Sequence, residues 1–104
     1  MLLALDIGNT EVTVGLFGGR RLLGQWRLTT VADRTPDEWG MALDACLRRA
    51  GQQASDVSAA CLASVAPAVT SPMLAAIAAS YTPRVGLVEA RAALGMLTDA
   101  SDLL

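Results

Sequence analysis

A chain of 104 residues with eight arginines, ten carboxylates and a formal net charge of −2 has no basic face with which to neutralise a nucleic-acid backbone. It contains neither lysine nor histidine, which excludes a phosphate-loop lysine, Schiff-base chemistry, an imidazole base and histidine-ligated zinc. Carboxylates, hydroxyls, thiols and backbone amides remain for chemistry, within one globular domain whose core is built mainly from Ala, Leu and Val.

In chain order, Leu2 to Ile7 is an apolar run, Gly8, Asn9 and Thr10 make a tight turn, and Val12, Val14, Leu16 and Phe17 resume the apolar pattern. This predicts strand, turn, strand. Gly18 and Gly19 turn the chain into a third strand, Arg21 to Leu28, where the even spacing of Leu22, Trp26 and Leu28 predicts one shared face. Thr35-Pro36-Asp37-Glu38 is a capping box with proline at the first helical position, and Gly51 supplies a left-handed stop after Ala50. A helix of about four turns is predicted between them.

Val57 to Ser64 then reads as a buried strand, Ser71-Pro72 as the cap of a second helix running to about Tyr81, and Arg84 to Val88 as a last strand. The predicted order is βββαβαβ, a mixed α/β sheet with right-handed parallel crossovers and helices covering it. Residues 1–89 form the expected domain, and 90–104 are a tail that reads equally as helix or loose chain. Between Asp56 and Arg84 no residue is charged, yet Pro67 and Pro72 divide the stretch, so a buried strand and a packed helix are expected and no membrane partner. Cys46 and Cys61 are expected to be buried, reduced core thiols. The first residues lack a basic segment and carry Asp6 within the apolar run, which argues against a signal peptide and for the cytoplasm. Arg20-Arg21 and Arg48-Arg49 read as solvated charges, and Trp26 and Trp39 as core.

The turn Asp6-Ile7-Gly8-Asn9-Thr10 is the one segment that carries chemistry. Gly8 permits close backbone approach, the amides of Asn9 to Glu11 can converge on an anionic oxygen, and Thr10 adds a hydroxyl. Asp6, at the strand tip, suits Mg²⁺, which keeps several waters and takes one or two carboxylates. An ordinary hairpin turn has the same short pattern.

The longer string Leu-Leu-Ala-Leu-Asp-Ile-Gly-Asn-Thr with Val14-Gly15-Leu16-Phe17 is more particular, as are Trp26-Arg27-Leu28-Thr29-Thr30, Arg34-Thr35-Pro36-Asp37-Glu38-Trp39 and Ala63-Ser64-Val65-Ala66-Pro67. Together they resemble, in order and spacing, the first half of type III pantothenate kinases, within the acetate and sugar kinase, heat-shock chaperone and actin superfamily. The resemblance implies a ribonuclease H-like fold and ATP-dependent phosphorylation of pantothenate, the first step of coenzyme A biosynthesis. It also implies Mg²⁺, a monovalent cation (K⁺ or NH₄⁺) and a homodimer. Carried over, Asp6, Ile7, Gly8, Asn9, Thr10, Glu11, Val12 and Thr13 form the nucleotide segment, with Asp6 facing the metal. Glu11 departs from the family pattern, since a carboxylate beside a triphosphate repels it unless it turns outward.

The family's Tyr-Asp-Asn-Pro and Gly-Ala-Asp-Arg segments, which resemblance assigns to pantothenate contacts and the catalytic base, are not matched. Thr98-Asp99-Ala100-Ser101 keeps only Asp99 of the first, and Asp99 with Asp102 make no supported acid–base pair. No catalytic residue is therefore assigned to the chain. The expectation is an ATP-binding half completed by a second domain, with a non-catalytic regulatory or interaction protein, or a truncated fragment, as alternatives.

Overall fold

A computed structural model describes residues 1–81 and the backbone of 85–87. Its elements are β1 (Leu2–Ile7), β2 (Glu11–Gly18), β3 (Arg21–Thr29), α1 (Pro36–Arg49), a 3₁₀ turn (Ala54–Asp56), β4 (Ala59–Ser64), α2 (Pro67–Ser80) and β5 (Val85–Leu87). The strands form one sheet in the order β3-β2-β1-β4-β5. β1, β2 and β3 are antiparallel neighbours, whereas β1 with β4 and β4 with β5 run parallel. The predicted element order and mixed sheet are thus observed over the described residues. The expected tail, Asp99 and Asp102 lie outside them.

The two-residue period of the strands sorts side chains onto two faces. Leu3, Leu5 and Ile7 of β1, Val12, Val14 and Leu16 of β2 and Leu62 of β4 all point to one side and have no exposed surface. Both described helices lie on that side. Trp39, Leu43 and Leu47 of α1, and Val69, Met73 and Ile77 of α2, recur every fourth residue or so and bury one stripe of each helix against the strands. Each fully buried Leu or Ile contributes about 1.5–3 kcal/mol. The Trp39 indole N–H is buried without a partner among the described residues, a cost of about 1–3 kcal/mol set against the burial of its ring. The Arg34 guanidinium lies 5.0 Å from the centre of that ring. Across the sheet, Ala4, Phe17 and Leu22 form a smaller cluster with Leu2 and Cys61.

α1 starts and stops as its sequence dictates. The Glu38 N–H donates to Thr35 Oγ1 at 3.2 Å, and the Thr35 N–H donates back to Glu38 Oε1 at 3.1 Å. At the other end Gly51, with φ of 72°, and Gln52 donate to the carbonyls of Arg48 and Leu47, each at 3.0 Å, a Schellman closure. No helix among the described residues is long and apolar enough to cross a membrane.

Four sequence expectations need correction. Leu22 does not share a face with Trp26 and Leu28, because the pairing shifts between Leu16 and Phe17: Leu16 opposes Gly24, but Phe17 opposes Leu22. The extra residue, Leu23, turns toward the helix-side core and sends Leu22 to the other face. The second helix begins at Pro67, not after Ser71, and Pro72 lies inside it. Pro67 occupies the first helical position, where its missing N–H costs nothing, and Ser64 and Thr70 close the entry. Ser64 Oγ accepts from the Ala66 N–H at 3.1 Å and from Thr70 Oγ1 at 2.8 Å. β4 starts at Ala59 instead of Val57, since the 3₁₀ turn occupies the preceding residues, although Val57 is buried as expected. Cys61 is only half-buried, on the face opposite the described helices, while Cys46 is in the core; both thiols are free, and burial raises the pKa of each.

Backbone and side-chain hydrogen bonds from Thr35 hold the Glu38 carboxyl below its ordinary range. Its stabilising contribution is therefore present above that range and lost as pH falls through the lowered value. Replacing the cap itself, Thr35→Ala, should cost about 1 kcal/mol and lower the thermal midpoint by roughly 4–8 °C. An unchanged midpoint in thermal denaturation would show that the start of α1 does not depend on the box.

Candidate functional site

The carboxyl ends of the parallel strands β1 and β4 meet the start of β2 at one end of the sheet, the place where open α/β sheets bind ligands. β1 ends at Ile7, and the chain reverses through Gly8, Asn9 and Thr10 into β2. The Gly8 N–H donates to the Glu11 carbonyl at 2.9 Å. A Cβ on Gly8 would stand 3.0 Å from that oxygen, so the close backbone approach itself calls for glycine, without any positive φ.

Thr30, just beyond β3, ties both arms of the turn. Its N–H donates to the Thr10 carbonyl at 2.9 Å and its hydroxyl to the Gly8 carbonyl at 2.8 Å. The carbonyls of the turn are thereby engaged from the β3 side. The amides of the exposed apex residues Asn9 and Thr10 carry no hydrogen bond to any described residue. On the β4 side the Val65 N–H donates to the Ile7 carbonyl at 3.0 Å, bringing the segment Ser64-Val65-Ala66 and the start of α2 beside the turn.

Asp6 pairs in register with Thr13 of β2 and Ala63 of β4, and Thr13 pairs with Arg27 of β3. Residues paired across strands share a face, so Asp6, Thr13 and Arg27 stand in one row on the side opposite the described helices. Asp6 is half-buried and has no hydrogen-bond partner among the described residues. Partial desolvation raises its carboxyl pKa. Glu11 is exposed, with Oε2 3.9 Å from Arg27 Nε and side-chain exposures of 56% and 73%. A pair so open to water contributes at most about 1 kcal/mol. Thr10, Glu11, Arg27, Leu28 and Thr29 line a hollow of about 280 Å³ beside the turn. Two larger hollows, of about 320 and 390 Å³, lie against α1 and hold none of the predicted site residues.

Of the eight residues singled out in sequence, the structure gathers Asp6, Gly8, Asn9, Thr10, Glu11 and Thr13 around this end of the sheet. The side chains of Ile7 and Val12 instead fill the helix-side core, leaving only their backbone at the site. Sequence reasoning quoted Arg27 and Thr30 within the third-strand segment but did not assign them to the site. Their signal was the pairing register, which places both next to the turn from a strand distant in sequence. No cluster of three or more potential metal-ligating side chains occurs among the described residues.

Residues 2–102 match a family model described as type III pantothenate kinase. The chain is 45% identical over 71 residues to a type III pantothenate kinase of Thermomicrobium roseum, an alignment taking in 68% of this chain and 27% of that relative. It is 38% identical over 90 residues to one of Agathobacter rectalis, covering 86% of this chain and 35% of the relative. The chain thus spans about a quarter to a third of the curated relatives it matches. Among solved structures, a candidate N-acetylglucosamine kinase from Porphyromonas gingivalis superposes with a TM-score of 0.54 at 20% identity, over 84% of this chain and 34% of that one, a likeness of fold.

Thr30→Val should remove the hydroxyl bond to Gly8, costing about 0.5–1.5 kcal/mol, and should speed amide exchange in the Gly8–Glu11 turn while leaving α1 unaffected. Hydrogen-exchange rates measured residue by residue check this, and an unchanged turn would show that Thr30 does not hold it.

Proposed function

This chain belongs to the type III pantothenate kinase family, and from that premise we propose that it is the nucleotide-binding wall of such a kinase, with a ribonuclease H-like domain over residues 1–89. ATP is the phosphoryl donor and pantothenate the acceptor. The observation that carries the reading is the turn at Gly8–Thr10: two exposed apex amides with no hydrogen bond to any described residue, a hydroxyl beside them, and one half-buried carboxylate without a hydrogen-bond partner among the described residues. The amides and Thr10 hydroxyl suit phosphate oxygens. The start of α2, brought beside the turn by Val65, adds the positive end of a helix dipole to the same end of the sheet.

The residues present fit magnesium. Asp6 offers a hard oxygen ligand, and a metal that keeps its waters and shares the phosphates needs no larger protein cage. Bound there, Mg²⁺ would supply charge neutralisation along the polyphosphate. Asp6 would hold it, Thr10 and the apex amides would hold the anion, and Thr13 stands next to Asp6 on the same face. Thr30 keeps the turn rigid. Phosphoryl transfer depends on positioning donor and acceptor between two walls. By family resemblance, the acceptor contacts and the base come from the Tyr-Asp-Asn-Pro and Gly-Ala-Asp-Arg segments, of which this sequence keeps only Asp99. A second domain or a second copy of the chain completes the site, a monovalent cation assists it, and the enzyme works in the cytoplasm.

Calorimetric titration of the purified chain with ATP and Mg²⁺ tests the reading. Binding should be measurable and should weaken at least tenfold in Asp6→Ala, a loss of ~1.4 kcal/mol or more; binding indifferent to Asp6 would sink it. The raised Asp6 pKa adds a second expectation. The folded state holds this proton more tightly than the unfolded chain, so the group's contribution to stability falls as pH rises through the raised value. Asp6→Asn should therefore raise the thermal midpoint at neutral pH, with the gain shrinking toward acid pH. A lower midpoint at neutral pH would contradict it.

A further inference from the structure

Glu11 carries a negative charge at the mouth of a site read as binding polyphosphate, and Arg27 carries a positive charge on the same face. Thr13 lies between Asp6 and Arg27 in the row that crosses β1, β2 and β3. Neighbouring strands are about 4.8 Å apart, so the Asp6 and Arg27 backbones are about 10 Å apart. An extended arginine side chain bridges most of that distance. Glu11 sits one row nearer the turn, diagonal to Arg27, and the two side chains touch only loosely, at 3.9 Å and largely in solvent. Arg27 also shares its hollow with Thr10 of the turn. Its guanidinium is therefore within reach of an anion seated at the apex amides, and the contact that holds it is weak enough to be exchanged.

We propose that Arg27 is a phosphate-contacting residue of this site, held by Glu11 in the free protein and transferred to the polyphosphate when the nucleotide binds. The inference rests on the nucleotide-binding reading above and names a further residue for it. It also gives Glu11 a role: a carboxylate that would only repel a triphosphate instead keeps the guanidinium parked over the hollow and lets go when a more highly charged partner arrives. Arginine suits the exchange, because its planar fork can bond a carboxylate or a phosphate. Ligands with more phosphates should gain more from Arg27 than ligands with fewer.

The test is calorimetric titration of the chain with two probes, Mg²⁺·ATP and inorganic tripolyphosphate with Mg²⁺, for the wild type, Arg27→Gln, Glu11→Gln and the double variant. Both side chains are exposed, and thermal midpoints matching the wild type confirm that the variants fold. Arg27→Gln should weaken both probes roughly tenfold, the equivalent of ~1.4 kcal/mol. Glu11→Gln should tighten both several-fold when Arg27 is present and clearly less when it is not. Wild-type binding by Arg27→Gln alongside lost binding by Asp6→Ala would overturn the assignment and leave the nucleotide reading standing. Tripolyphosphate bound in an Arg27-dependent way, with no ATP binding, would keep the assignment and reject the nucleotide reading. No binding of either probe by the wild type would reject both, and an equal gain from Glu11→Gln in the two backgrounds would overturn the exchange.

Discussion

The alternation along β1 is the constraint on which the rest of the structure depends. This strand is hydrogen-bonded on both sides, antiparallel to β2 and parallel to β4, so its register is fixed by two partners at once. Leu3, Leu5 and Ile7 must enter the helix-side core, and that demand alone sends Leu2, Ala4 and Asp6 to the opposite face. A slip of one residue would drive the Asp6 carboxylate beneath the helices, at a cost of several kcal/mol or more for an unpaired charge. The force that builds the core therefore also delivers a carboxylate to the opposite face of the sheet, two residues before the turn.

The turn extends the same logic from packing to chemistry. Gly8 is needed because the Glu11 carbonyl stands where a Cβ would crowd it, and that closeness pulls the two arms together and exposes the apex amides. Thr30 then engages the carbonyls of Gly8 and Thr10. With the carbonyls of Gly8 and Thr10 engaged and the amides of Asn9 and Thr10 unbonded to any described residue, the anion affinity proposed for the loop would arise from which backbone groups are already spent.

The features legible in the sequence are those decided by near neighbours. The capping box at Thr35–Glu38, the stop at Gly51 and the first hairpin each depend on a handful of adjacent residues, and each formed as read. The start of α2 was not legible, because the local capping rule favours Ser71-Pro72 over Ala66-Pro67, where no side chain caps the helix. The choice between them follows contacts of Ser64 with Ala66 and Thr70 that span a strand end and a helix turn. Leu22 changed face for a related reason: alternation holds only while the pairing does, and one extra residue opposite Leu16 and Phe17 ends it. At the site, the turn residues were readable from their own order, whereas Arg27 and Thr30 approach it across strands.

Charge shows why the cross-strand neighbours matter most. Without lysine, the chain cannot use the flexible ammonium that many phosphate loops place beside their anion. Asp6 and Glu11 make the resting mouth of the site acidic, and two threonine hydroxyls do not offset them. A polyphosphate is accommodated there only if positive charge comes from elsewhere: from a cation carried in on Asp6, from backbone dipoles at the turn and the start of α2, or from an arginine on the next strand. Backbone dipoles contribute partial charges and the metal arrives with its ligand, so Arg27 is the only full positive side-chain charge among the described residues that the register places beside the turn. On the proposed reading, the third strand would thus be part of the nucleotide site as well as part of the sheet.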